Sequence, residues 1–282
     1  MTKKQFYKYR TALFCTGAFF MACAFSSGGG VKNMTTVWAN EQVQTKNVGK
    51  DNPYGWEKLS SYTTYYNESE RGRCENIAIA ASLIHGVTIQ PYGEFSFNQT
   101  VGRRTEESGF QQAKIIINGE YVLGVGGGVC QVSSTLYNAA LKSGLSVTEY
   151  HPHSLQVGYV SPSRDAMVSS QSDLCLFNPY AHPVYLSANV FRGGIKITFF
   201  GKNEGYRYEL NAKTLEEIPP PQPIVKEGQK EEILRLEKSG VKSECYLECY
   251  KGENLLWRKR LRKDEYRPIQ GIIVKKIPVP TN

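Results

Sequence analysis

Hydrophobic and polar positions change pattern several times along the chain. An apolar run covers residues 12–25, with Lys3, Lys4, Lys8 and Arg10 before it and small residues 26–30 after it. Positive, then apolar, then small is the order of a secretory signal. Residues 11–31 also approach the ~20 residues that span a bilayer, so an uncleaved anchor with its basic end in the cytoplasm is the alternative. Lipidation at Cys23 is a third route to the same outcome. Residues 1–39 are therefore expected to be a signal peptide or N-terminal membrane anchor. The polar stretch 40–57 is expected to be a tether.

From there the pattern is that of a globular protein. "LSSYTTYY" (59–66) reads as a strand. Ile77, Ala80, Ala81 and Ile84 recur at helical spacing, and Gly86 ends that helix. Residues 87–98 read as extended pieces broken by a turn at 91–93. Residues 113–124 read as a hairpin around Asn118-Gly119. Val132, Leu136, Ala139, Ala140 and Leu141 mark a second helix that stops at Gly144. A strand over 145–154 and β-like pieces up to 178 follow. A hairpin over 182–201 then turns at Gly193-Gly194. The proline-rich "EEIPPPQP" (216–223) marks a boundary, and short strands fill the rest. The expected fold is α+β: a sheet-rich domain over 58–204 with two main helices, then a small all-β tail over 214–282.

Composition adds less. The net charge is +8, but residues 1–39 carry five basic and no acidic residues, so the exported part has 29 − 26 = +3. A mildly cationic exported protein suits an anionic wall or membrane surface. No nucleic-acid motif is present, and export argues against a nucleic-acid partner. The Lys/Arg cluster at 258–263 reads as a solvated face, with binding of anionic wall polymer as its functional alternative. Five cysteines lie beyond the leader, an odd number that leaves at least one thiol free or paired between chains. Cys245 and Cys249 lie four apart on one strand, ~13 Å, too far for a disulfide, and read as packing.

Candidate chemistry centres on "GVGGGVCQVSSTLYNAAL" (124–141). Gly126, Gly127 and Gly128 place Cys130 at a helix start, where free N–H groups and the partial positive charge favour a thiolate. The glycines let backbone and substrate approach, and N–H groups of this loop, Gln131 included, are candidates to hold an oxyanion. The helix rises ~20 Å and the next strand returns ~23 Å, which brings His151 and His153 back to the level of Cys130. On a strand these two histidines share a face, and either serves as the base. Asp165 or Glu149 is placed to orient the ring. Arg103, Arg104 and Arg164 are candidates for a substrate carboxylate, with Ser133 and Asn98 beside them. Packing of the cysteine is the bland alternative. A metal site of Cys130, His151 and His153 with Asp165 or His182 is another, though no standard zinc spacing is present. The preferred reading calls for no metal and no cofactor.

At these residues the chain resembles the VanW family. "YTTYYNESERGRCENIAIAASLIHG", "FSFNQTVGRRTEESGF", "GGGVCQVSSTLYNAALKSGL", "HPHS" and "RDAMV" appear in the family's order over roughly residues 59–201. Ser134, Ser163 and Met167 depart from the residues common there, Gly being common at 163. The tail from about 214 resembles a degenerate G-five domain, a small all-β unit that accompanies wall proteins and is thought to bind amino-sugar polymer. The family takes its name from a glycopeptide (vancomycin) resistance cluster. Some proteins with this domain are L,D-transpeptidases, which cross-link peptidoglycan through a cysteine thioester. The resemblance implies an extracytoplasmic protein, secreted or anchored at the cell surface, with peptidoglycan as partner and Cys130 as nucleophile. A non-catalytic wall-binding or assembly protein is the second reading, and hydrolysis in place of transfer a variant of the first.

Overall fold

Periodic burial builds the two long helices first. The computed structural model describes residues 52–117 and 120–276. The expected leader, most of the expected tether and the hairpin tip at 118–119 lie outside the described residues. In chain order the elements are β1 (Glu57–Tyr65), α1 (Arg71–Ile84), β2 (Thr88–Ile89), β3 (Glu94–Ser96), α2 (Phe97–Val101), β4 (Gln112–Ile117), β5 (Glu120–Val125), α3 (Val129–Lys142) and β6 (Ser146–Glu149). Then come β7 (Cys175–Phe177), β8 (Val184–Phe191), β9 (Gly194–Gly201), β10 (Tyr206–Ile218), β11 (Ile224–Gly228), β12 (Glu232–Arg235), β13 (Gly240–Lys251), β14 (Asn254–Tyr266) and β15 (Ile272–Lys276). The fold is α+β, with two main helices and many short sheets.

α1 buries the stripe Ile77, Ala80, Ala81 and Ile84, as its spacing predicts. It packs on β8 and on α3, and α3 packs on β1 and β9. Both helices thus cover an antiparallel sheet of order β1-β9-β8-β2. α3 differs from an ordinary amphipathic helix, because it is enclosed on every side. Its polar residues are therefore bonded internally. Thr135 donates to the Gln131 carbonyl (2.6 Å), and the Asn138 amide donates to the carbonyls of Ser134 (2.7 Å) and Arg164 (2.7 Å). Leaving one such group unpaired costs ~1–3 kcal/mol.

Three expectations change. The strand placed at 145–154 ends at Glu149, and residues 150–170 form irregular chain in place of β pieces. Pro152 has no N–H to give a ladder and restricts the residue before it. α2 was not expected; its single turn is capped by the Ser96 hydroxyl, which accepts from the Gln99 N–H (3.0 Å). The tail's sheet begins at Tyr206, ahead of the proline-rich boundary, because β10 pairs with β13 through Ile218. That sheet has the order β10-β13-β14, and a second has the order β11-β15-β12. Cys245 and Cys249 point into the packing of β13 as buried thiols. The described residues fall in one compact unit, and no helix among them is long and apolar enough to cross a membrane.

Candidate functional site

The glycine turn is required by the fold before any substrate is considered. Gly126 (φ +88°) and Gly128 (φ +107°) are left-handed, a conformation that costs other residues ~1 kcal/mol or more. A Cβ on Gly127 would lie 2.6 Å from the Lys114 carbonyl oxygen and 2.7 Å from the Ala113 Cβ. A Cβ on Gly128 would lie 3.0 Å from the Arg73 carbonyl oxygen. The turn threads between β4 and the start of α1, and only glycine fits the passage. It delivers Cys130 to the second position of α3. From Gly127 to Leu141, Cys130 is the one residue that is not buried.

His153 meets this thiol. Its ring is 6% exposed, and Nδ1 lies 2.6 Å from Asp165 Oδ2. The same oxygen accepts the His153 backbone N–H at 2.7 Å. That leaves Nε2 for the Cys130 thiol, which lies near enough for the two groups to shift each other's titration. The thiol also donates to the Val168 carbonyl at 3.4 Å. Asp165 is 1% exposed and is held from the other side. Its Oδ1 accepts from the Tyr266 hydroxyl (2.5 Å) and from Arg262 Nη2 (3.2 Å), and Arg262 Nη1 donates to its carbonyl (2.6 Å).

The charges follow from these contacts. Burial pushes the Cys130 thiol up, but the hydrogen-bonded, charged His153, the Val168 backbone and Arg104 outweigh it, and the thiol lies below its ordinary value. Burial pushes His153 down, but Asp165 and Cys130 raise it to about 9. Burial raises Asp165, but His153, Arg262 and Tyr266 hold it at about 2. His153 and Asp165 are thus charged at neutral pH, and the same contacts favour the thiolate form of Cys130.

The thiol opens into a cleft of ≈ 1100 Å³. Arg73, Arg103, Arg104 and Lys114 line it, against Glu70 alone among acidic residues. Arg104 Nη2 donates to Asn98 Oδ1 at 2.6 Å, so these two expected residues stand together beside Cys130. Gln131 lines the cleft too, but as a brace. Its Oε1 accepts from Arg73 (2.6 Å) and its Nε2 donates to Thr64 and to the Tyr65 carbonyl (3.0 Å each). Its N–H is already bonded to the Gly128 carbonyl at 2.9 Å, so it is no free oxyanion donor.

Other expected residues are placed elsewhere. His151 pairs with Glu149 (2.9 Å) at the surface, away from the thiol. Beyond Glu149 the chain is not a strand, so the two histidines do not share a face. Glu149 is occupied with His151, which leaves Asp165 as the group that orients His153. Arg164 donates to Asn138 Oδ1 (2.7 Å) and lies over the Tyr62 ring (4.9 Å), outside the cleft lining. Ser133 is buried and donates to the Ala166 carbonyl (2.6 Å). His182 stacks on Tyr180 and faces Glu204, so it joins no metal set with Cys130. Among the described residues no group of three or more His, Cys, Asp or Glu is placed to hold a metal ion.

Four residues of the site escaped the sequence reading. Arg73 and Tyr159 line the cleft with the guanidinium over the ring at 5.8 Å, and Arg262 and Tyr266 come from the tail. Arg262, Asp264 and Tyr266 alternate along β14, which is a legible signal of one inward face. It is masked by Lys259, Arg260 and Lys263, which are exposed and made the whole cluster read as solvated.

Residues 72–200 match the family model described as "VanW like protein". Over 148 residues the chain is 41% identical to "Uncharacterized protein YoaR" of Bacillus subtilis (strain 168), a match covering 52% of this chain and 49% of that protein. Over 78 residues it is 28% identical to "Vancomycin B-type resistance protein VanW" of Enterococcus faecalis (strain ATCC 700802 / V583), covering 28% of each. The chain thus spans about half of the first relative's length and less of the second's. Two solved G5 structures align with about a quarter of this chain. The "HP0197-G5" crystal structure is 16% identical with a TM-score of 0.16, over 25% of this chain and 96% of that one. The "IgA1 Protease G5 domain" is 14% identical with a TM-score of 0.18, over 26% of this chain and 92% of that one.

Proposed function

We propose, for a chain that belongs to the VanW family over residues 72–200, that it is an exported cysteine acyltransferase acting on peptidoglycan stem peptides in the manner of an L,D-transpeptidase. The observation that carries this reading is the row Cys130–His153–Asp165, with the thiol as the single open position of an otherwise enclosed helix start. A buried thiol kept for packing needs no ionised histidine beside it and no cationic cleft above it.

The chemistry follows from the charges. The Cys130 thiolate attacks the carbonyl preceding the terminal D-alanine of a tetrapeptide stem, and a C–S bond forms. Val129 and Gln131 already bond their N–H groups to the Gly126 and Gly128 carbonyls, so the N–H of Cys130 is the helix-start donor left for the oxyanion. Collapse breaks the C–N bond, and His153 gives its proton to the departing amine. A second stem's amine then attacks the thioester, returns a proton to His153, and the thiolate leaves. Arg104, beside the thiol, is placed for the carboxylate of the leaving residue. Arg103 and Lys114, exposed at the rim, suit further anionic groups. Asp165 fixes the His153 ring with Nε2 toward sulfur. None of these steps draws on a metal or cofactor.

In the same reading residues 1–39 export or anchor the chain, 58–204 form the reactive domain, and 214–282 form a G5-like unit at the wall. The exposed cations Lys259 and Lys263 of that unit suit an anionic wall polymer. The test is the intact mass of residues 40–282 after mixing with disaccharide-tetrapeptide. A covalent adduct of substrate minus alanine, absent in Cys130→Ala, is the expected result. A folded protein that holds peptidoglycan but forms no adduct, turns over none of the tetrapeptide and is indifferent to that substitution would make it a wall-binding protein instead.

A further inference from the structure

We propose that Arg262 and Tyr266 of β14 are positioning residues for the Cys130–His153 pair, acting through Asp165, so that the C-terminal β unit is built into the reactive centre. The proposal rests on the reading of Cys130 as a nucleophile primed by His153. It begins with alternation: Arg262, Asp264 and Tyr266 share one face of β14, and all three side chains are enclosed, Arg262 at 4% and Tyr266 at 1% exposed. Arg262 Nε donates to Asp264 Oδ2 (2.6 Å), while its two Nη atoms reach Asp165. Its guanidinium lies over the Tyr150 ring at 4.7 Å. The cation is thus held by Asp264 and Tyr150 as well as by Asp165.

Asp165 has two carboxylate oxygens and uses them differently. Oδ2 holds His153, and Oδ1 is held only from β14 among the described residues. The last torsion of an aspartate is soft. With Oδ1 released, the carboxylate turns and the Oδ2–Nδ1 bond loses its alignment. A second observation points the same way. Ser163 sits at φ +60°, a left-handed conformation that strains a non-glycine residue. It is held there by the tail: its N–H donates to the Tyr266 hydroxyl (2.7 Å), and its hydroxyl meets that of Ser243 on β13 (2.7 Å). One phenol therefore ties both Ser163 and Asp165. The other ionisable groups around the row are Tyr137 from α3, Tyr159 from the irregular segment, Arg73 from α1 and Arg104.

The experiment is iodoacetamide labelling of Cys130 in the full chain as a function of pH, with the labelled peptide identified by mass. Tyr266→Phe and Arg262→Lys are compared with the wild type and with Glu265→Ala, an exposed change on the opposite face of β14. The expected result is a labelling midpoint about one pH unit higher in the two inward variants, roughly tenfold slower labelling below that midpoint. Equal rates at high pH and an unchanged Glu265→Ala complete the expected pattern. A Tyr266→Phe protein that folds, melts earlier and labels with the wild-type midpoint would overturn the proposal, leaving β14 a brace only. If Arg262→Lys fails to fold, Tyr266→Phe decides, since it removes a single oxygen. The tetrapeptide adduct is measured on the wild type in parallel. Its absence with a shifted Tyr266→Phe midpoint defeats the acyl-transfer reading alone.

Discussion

Cys130, His153 and Asp165 each sit in a place that would suppress their charge, and the neighbours of each favour its charged form. Burial opposes all three charges, and the hydrogen bonds between them win. The sign of the pH effect differs among them. Asp165 titrates lower when folded, at about 2, so it contributes stability above the ordinary carboxylate value of ~4 and loses it as pH falls toward 2. His153 titrates higher when folded, at about 9, so its contribution is complete below ~6.5 and is lost as pH rises through 9. Cys130 is lowered, so its contribution stands above ~8.5 and fades as pH falls. Thermal melts across pH should show an acid loss between about 4 and 2 that Asp165→Asn flattens, at a cost in stability at neutral pH because Arg262 loses one of its two carboxylate partners. A wild-type acid limb surviving unchanged in Asp165→Asn would place that limb on other carboxylates.

At the scale of the element, the turn before α3 matters more than the helix's own propensity. α3 is enclosed by β1, β9, β10 and α1, so its start cannot shift to relieve a clash. Gly127→Ala puts a methyl against the Lys114 carbonyl and Ala113 of β4. We expect a loss of ~2 kcal/mol or more in denaturant unfolding, together with slower alkylation of Cys130 at neutral pH. Alanine at Gly158, where a Cβ meets nothing within 4 Å, is the control and should be near neutral. This element was largely legible, since helical spacing and the glycine run both point to a cysteine at a helix start. The hairpin of β4 and β5 and the stripe of α1 were legible for the same local reason. The strand after α3 was not, because Pro152 ends the ladder that period-two reasoning assumed.

At the scale of the molecule, the tail and the VanW-like region share buried polar groups. Arg262 and Tyr266 reach Asp165, Ser243 reaches Ser163, and the Arg267 N–H bonds the Ser154 carbonyl at 2.9 Å. Separating them would break the buried Arg262–Asp165 pair and strip Asp165 Oδ1 of its partners, which is costly. Residues 40–282 should therefore unfold in one transition, with calorimetric and van't Hoff enthalpies equal. A tail that melts separately would show two transitions.

Local patterns by themselves determined the α+β class, both long helices, the hairpins, the glycine-mounted Cys130 and the nomination of His153 and Asp165. These are read within a dozen residues, where period and turn chemistry act. Tertiary structure alone decided which histidine faces the thiol, that Arg164 and Ser133 serve the interior, and that a cation in a charged cluster is buried under Asp165. Those outcomes depend on contacts between positions from about two dozen to about a hundred residues apart. The spacing of a sequence carries no record of which distant strand will bring its charge to a given carboxylate.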